Sequence, residues 1–154
     1  IEALRKKPLH FLSLGQKKRV AIAGVLAMEP ELMILDEPSA GLDGYYTQQI
    51  MQILSTLHTP ERTIILSTHD VNFAYEWADE IIVVSDGQLL YQGDPVHLFK
   101  HDTILKKAHL DTPWLFETTM ALIQKQIIKP LEHFPRSKEA LFELLPTWRA
   151  AQFV

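Results

Sequence analysis

Hydrophobic and polar positions along the first part of the chain switch repeatedly between two periods. From Gln16 to Met28, apolar or small residues recur at Val20, Ala23 and Ala27 and at Ile22, Val25 and Leu26, a helical spacing that ends before Pro30. Leu32-Met33-Ile34-Leu35 is then a short continuous apolar run, which predicts a strand buried on both faces. The alternation repeats: Thr47–Leu57 predicts a helix, Thr63–Leu66 a second buried strand, Val71–Ala78 a helix and Ile81–Val84 a third strand. Asp86-Gly87 marks a tight turn into Gln88–Tyr91, which reads as a hairpin. Strands alternating with helices predict an α/β fold with a mostly parallel sheet and helices on both faces. Ligands of such sheets bind at the carboxyl ends of the strands.

After Gly93-Asp94-Pro95, a turn-forming cluster, the pattern changes to short helices interrupted by prolines. Thr112-Pro113 starts a helix that continues through Trp114, Leu115, Thr118, Leu122 and Ile123; Pro130 and Pro135 interrupt it, and Ser137–Leu145 predicts another. Net charge changes sign at the same cluster, from −6 over residues 1–94 to +2 over 95–154. The expected organisation is a first domain, 1–94, and a mostly helical extension, 95–154. Leu141, Leu144 and Leu145 are expected to pack against the first domain or a partner subunit. His97 and His101 lie four apart and would share a helix face as metal ligands, but no third ligand accompanies them and a solvated helix is the simpler expectation.

Composition narrows the classes. A chain of 154 residues that is 47% hydrophobic has enough apolar mass for a core of its own, which excludes a disordered tail. Net charge −4 provides no general attraction to a phosphate backbone, so no nucleic-acid partner is expected. The longest nearly apolar run, Val20–Met28, is far shorter than the ~20 residues of a membrane-spanning helix. Cysteine is absent, which removes disulfide scaffolds and cysteine zinc sites. None of the six glycines precedes a lysine, so the chain contains no complete phosphate loop of the form GxxxxGK[ST]. A chain that opens at Ile1 is expected to be a fragment.

The strand ends carry the candidate chemistry. Asp36-Glu37-Pro38 follows Leu35, and Ser67-Thr68-His69-Asp70 follows Leu66, so two carboxylates and a histidine converge on one edge of the predicted sheet. Adjacent residues of an extended strand point to opposite faces, so Asp36 and Glu37 are expected to do different jobs. One carboxylate can hold a hard cation such as Mg²⁺, largely through water, while the other orients an attacking water. His69 can hydrogen-bond to a transferred phosphoryl oxygen. Upstream, Ser13 in Leu12-Ser13-Leu14-Gly15-Gln16 is a candidate N-cap, and the free amides of the next turn suit an anion. Lys17, Lys18 and Arg19 place three cations in that first turn, where the helix dipole disfavours each by about 0.3–1 kcal/mol. A bound polyphosphate would offset this; the alternative is a solvated basic face.

In this order the segments resemble those of ATP-binding-cassette (ABC) ATPases. Leu12–Gln16 resembles the LSGGQ signature, Leu32–Glu37 the Walker B strand, Ser39-Ala40-Gly41-Leu42-Asp43 the D-loop, and His69 in STHD the switch histidine. The resemblance covers residues 1 to about 94 and implies the C-terminal portion of a P-loop NTPase cassette with ATP and Mg²⁺ as cofactors. Asp36 would help to hold Mg²⁺, Glu37 would act as general base, His69 would contact the γ-phosphate, and Asp43 would couple the two sites of a dimer. Ser13, Gly15 and Gln16 would meet the γ-phosphate of ATP held by a second ABC ATPase subunit, identical or different. Phrases such as GQKKRVAIAGVLAMEPELMILDEPSAGLD resemble the ATPase subunit of cobalt, nickel or energy-coupling-factor importers. That likeness implies integral membrane partner subunits, a peripheral position on the cytoplasmic face of the membrane, and uptake of a transition metal ion or vitamin. Leu14 replaces the usual signature glycine, and Gly44 stands where proline is common. The phosphate-loop lysine, adenine-stacking aromatic and glutamine loop of the family lie upstream of the signature, and none is found here. Three readings follow: the chain is part of a hydrolysing cassette of such an importer, inactive by itself; an ATPase-inactive partner that lends its signature to another cassette; or part of the ATPase of a different ABC transporter class. The sheet is expected to lack the strand that leads into the phosphate loop and so to show an exposed edge or an unusual partner.

Overall fold

A computed structural model of the chain describes residues 2–146; the end of the expected 95–154 extension lies outside them. The polypeptide divides into two compact units, with the division between His69 and Asp70.

In the first unit, short 3-10 turns at Glu2–Leu4 and Leu9–Phe11 lead into helix α1 (Leu14–Leu26). Strand β1 (Leu32–Asp36), helix α2 (Gly44–Leu57) and strand β2 (Thr63–Ser67) follow. The sequence specifies both helix starts. Ser13 accepts from the Gln16 amide while the Gln16 side chain accepts from the Ser13 amide, forming a capping box, and Asp43 accepts from the Tyr46 amide. Strands β1 and β2 pair in parallel from Leu32 with Thr63 to Asp36 with Ser67, which brings the two predicted carboxyl ends side by side. Leu12, Ile22, Met33, Ile50 and Leu54 form the buried apolar set of this unit.

Two expectations change here. Strand β1 is not covered on both faces: Met33 is buried, whereas Leu32 and Ile34 are 51% and 72% exposed, and Ile65 on β2 is 51% exposed. The third predicted strand does not extend the parallel sheet. Strand β3 (Ile81–Ser85) pairs antiparallel with β4 (Gln88–Gly93), and β1 and β2 pair only with each other, leaving each with an unpaired outer edge among the described residues. The hairpin turn is local and strong: Asp86 (φ 50°) and Gly87 (φ 72°) both take the left-handed conformation that a two-residue turn between twisted strands requires.

The second unit surrounds this hairpin with helices α3 (Val71–Trp77), α4 (Pro95–Leu98), α5 (Asp102–Ala108), α6 (Trp114–Gln124) and α7 (Lys138–Leu144). Asp70, Asp94 and Ser137 cap α3, α4 and α7 through their side-chain oxygens. His97 lies in α4, a proline-started single turn, and His101 is the N-cap of α5, so the two do not share one helix face. Among the described residues no group of three His, Cys, Asp or Glu is arranged to hold a metal ion. The core is Tyr75, Val83, Leu98, Phe99, Leu105, Leu115, Phe116 and Leu141. Of the predicted tail contacts, Leu141 is buried within this unit, Leu145 is half-buried and Leu144 is exposed.

Tyr75 organises that core. It stacks edge-to-face on Phe99 and Phe116, and its hydroxyl donates to the Pro135 carbonyl at 3.0 Å. Burial pushes its pKa up to about 12. Arg136 donates to the Tyr75 carbonyl at 2.8 Å and to the Ala78 carbonyl, closing the carbonyl end of α3. Glu76, on the same helix, has its pKa raised by burial and then by the nearby Asp70 and Glu139 carboxylates, against a hydrogen bond from Trp114. A carboxyl whose folded pKa is raised adds stability at pH values below its unfolded value of 4.5, and that stability is lost as pH rises through the folded value. Glu76→Gln is therefore expected to melt higher than the parent at pH 7, with the gap closing below pH 4.5; a gap in melting temperature that does not change with pH would contradict this assignment.

Candidate functional site

The parallel register places Asp36 directly beside Ser67, and the chain then leaves each strand with chemistry in the next residues. Ser67 Oγ donates to Asp36 Oδ1 at 2.5 Å and accepts from the Glu37 amide at 3.3 Å; the same amide donates to the Ser67 carbonyl at 3.1 Å. One hydroxyl thus joins both acidic residues. Glu37 turns into the left-handed region, φ 44°, and its Oε1 lies 2.8 Å from His69 Nδ1. An ionised carboxylate only accepts, so Nδ1–H is the donor in this pair. Glu37 Oε2 is buried without a hydrogen-bond partner. A buried carboxylate oxygen left unsatisfied is costly, and it is the atom that would accept a proton from water seated at this edge. Asp36, Glu37 and His69 are therefore brought together, with each carboxylate on a different partner.

The signature and D-loop residues form a second group. Gly15 is buried, and a Cβ at that position would stand 3.2 Å from the Tyr46 ring and 3.5 Å from Leu42, so its smallness lets the first turn of α1 rest on the start of α2. Leu14, half-exposed, lies over Gly41, whose φ of 72° requires the left-handed region. Asp43 is exposed and spends one carboxylate oxygen on capping α2. Ser13 and Gln16 are held by one another in the capping box.

Ser67 within the first group and Lys18 between the two make contacts not assigned from sequence. Ser67 was visible only as the residue before the histidine segment; the register that makes it a bridge is a property of the paired strands. Lys18 was read as one of three basic residues, either on an anion or in solvent. Instead its Nζ donates to the carbonyls of Glu37 and Ala40, each at 2.8 Å. Arg19 donates to Gln49 at 2.9 Å and lies over the Tyr46 ring, so the basic run is largely consumed inside the unit, with Lys17 exposed.

The donor set fits the implied cofactors in part. Asp36 and Ser67 offer the hard oxygens that Mg²⁺ prefers, and a cation that keeps several waters and binds substrate phosphates needs no three-carboxylate cage. The sequence contains no GxxxxGK[ST] loop to cradle the remaining phosphates.

The parallel pair with its flanking helices is an α/β arrangement, and the solved structures it superposes on are ABC ATPase cassettes. The family model described as ABC transporter matches residues 1–40. The energy-coupling factor transporter ATP-binding protein EcfA2 of Methanospirillum hungatei is 43% identical over 84% of this chain and 33% of its own length. EcfA of Methanocaldococcus jannaschii is 45% identical over 86% of the chain and 47% of its own length. Among solved structures, cbiO1 from Clostridium perfringens, part of the ABC transporter complex cbiONQ, superposes with a TM-score of 0.60 at 42% identity, covering 78% of this chain and 48% of cbiO1. The chain is similar to ABC transporter ATP-binding proteins of the energy-coupling factor type, and it spans less than half the length of these relatives and of cbiO1. Among the described residues no helix is long and apolar enough to cross a membrane.

The contact between Leu14 and Gly41 makes a coupled prediction. Gly41→Ala places a Cβ 3.0 Å from Leu14 Cδ2 on a backbone of φ 72°. We expect a loss of about 1–2 kcal/mol from the left-handed backbone alone, with a further steric part that Leu14→Ala relieves. Urea unfolding of the single and double variants checks this; strictly additive losses would show that the two residues do not press on one another.

Proposed function

We propose that this chain is the signature-bearing part of the ATP-hydrolysing subunit of an energy-coupling-factor importer, active only together with a phosphate loop. The observation that carries this reading is the paired state of Glu37: one carboxylate oxygen is held by His69 and the other is buried without a partner at the carboxyl edge of the parallel strands. Glu37 accepts a proton from the attacking water, and His69 fixes the carboxylate while its imidazole meets the γ-phosphate. Asp36, steadied by Ser67, contributes to holding the metal. Mg²⁺ and the nucleotide, when bound, supply the phosphoryl group and neutralise the charge that develops on it. Ser13, Gly15 and Gln16 face the nucleotide of a second cassette, and Asp43 links the two sites. An intact Glu37–His69 pair favours hydrolysis over the reading of an inactive partner subunit, which has no need of it.

Likeness to EcfA proteins and to cbiO1, part of cbiONQ, supports assembly with integral membrane subunits, and hence a peripheral place on the cytoplasmic membrane face. The cargo in this reading is a transition metal ion or a vitamin, selected by those subunits and not by the residues described above.

In the complete cassette, Glu37→Gln is expected to keep ATP binding and to lower turnover by about 10²–10⁴-fold, the range for loss of a general base. Steady-state phosphate release together with nucleotide binding reads both, and turnover at the parent rate removes Glu37 from this role. For the 154-residue chain by itself, calorimetry is expected to show no ATP binding, since no GxxxxGK[ST] loop is present. A micromolar affinity would overturn that account.

A further inference from the structure

We propose that Lys18 is a positioning residue that holds Glu37 in its left-handed conformation and thereby ties the signature helix to the water-activating carboxylate of the same subunit. The proposal rests on the ATPase reading above. A non-glycine residue at φ 44° persists only where its surroundings hold both of its peptides. On the amino side, the Glu37 amide is taken by Ser67 of β2. On the carboxyl side, the Glu37 carbonyl accepts from Lys18 Nζ at 2.8 Å and from the Ala40 amide at 3.2 Å. Lys18 also takes the Ala40 carbonyl at 2.8 Å, so one ammonium closes the turn from Glu37 to Ala40 at both ends. Bonds from an ionised donor are the stronger class, and this side chain is half-buried, where screening is reduced.

Lys18 lies one turn after Leu14 on α1, the helix whose start carries Ser13, Gly15 and Gln16. A nucleotide that draws the start of α1 toward it moves Nζ, and with it the peptide that aims the Glu37 carboxylate. Lys18 therefore reports occupancy at the signature to the hydrolytic group of its own subunit. Side-chain length is essential: the lysine stem spans from α1 to two carbonyls across the turn, and no other side chain of α1 hydrogen-bonds to that turn among the described residues.

The test uses the complete cassette. In Lys18→Met, kcat is expected to fall about 10-fold or more while KM for ATP stays within about two-fold, the pattern of a group acting after binding. Lys18→Arg, whose guanidinium can still bridge two carbonyls, is expected to recover most of the rate. Amide exchange at residues 37–40 should quicken in Lys18→Met while β1 keeps its protection. An unchanged kcat, an Arg variant as slow as Met, or unchanged exchange at 37–40 overturns the proposal. Should Lys18→Met not fold, Lys18→Gln, too short to reach both carbonyls, is held to the same thresholds. Glu37→Gln measured alongside separates the failures: if it abolishes turnover while Lys18→Met does not, only the positioning role falls, and if it turns over normally, the ATPase reading falls and takes this proposal with it.

Discussion

The first unit depends on one strained peptide. Just past β1, Glu37 adopts a left-handed conformation that costs a non-glycine residue about 1–3 kcal/mol. The hydrogen bonds that surround it are of the same size, about 1.5–3 kcal/mol for each one made by a charged group, so the turn is stable only while β2 and α1 both keep hold of it. Its effect is to separate two consecutive carboxylates. Asp36 stays in register beside Ser67, while Glu37 swings to His69 and keeps one oxygen in reserve. The alternation of an ordinary strand would also part them, but without fixing either on a partner.

Much of this was legible in sequence because it is local. Ser13 stands where α1 needs a side-chain acceptor, and the Asp86-Gly87 pair names its own turn; Asp43, Asp70, Asp94 and Ser137 do the same work at other helix starts but were not read as caps. The convergence of Asp36, Glu37 and His69 was legible for a different reason: parallel strands put their carboxyl ends on one edge whatever their register. What was not legible depends on register and on reach. Ser67 becomes a bridge only when Asp36 is its neighbour across the pair, and Lys18 becomes a clamp only when the turn at 37–40 folds under α1.

Burial of the strands was misjudged for an instructive reason. An apolar run such as Leu32–Leu35 reports the surroundings for which a strand is built, and Ile34 at 72% exposure has no such surroundings among the described residues. The run Ile81–Val84 was drawn toward the parallel sheet by the same logic, yet a two-residue turn leads straight into β4, and an antiparallel neighbour is available at far lower loop cost than a crossover. Around that hairpin the second unit builds a core of its own on Tyr75, with Arg136 and Pro135 returning from beyond α6 to close α3. Charge sign along the chain carries no trace of this closure, because the interactions that make it run from a phenol and a guanidinium to backbone carbonyls.

The basic run at the start of α1 shows how a charge pattern can mislead about a ligand. Three cations at a helix amino end oppose the dipole, and a bound anion is one way to offset them. In the folded chain two of the three already have partners: Lys18 on two carbonyls, Arg19 on Gln49 and the Tyr46 ring. The charges therefore require no phosphate to explain their presence. Affinity of this helix end for a nucleotide can rest instead on the amides of its first turn, on Ser13 and Gln16, on the exposed Lys17, and on the smallness of Gly15, which keeps that turn seated on α2. Leu14 fits the same view. Its side chain is turned to use against Gly41, so the residue that departs from the signature pattern joins the signature to the D-loop instead of leaving a gap between them.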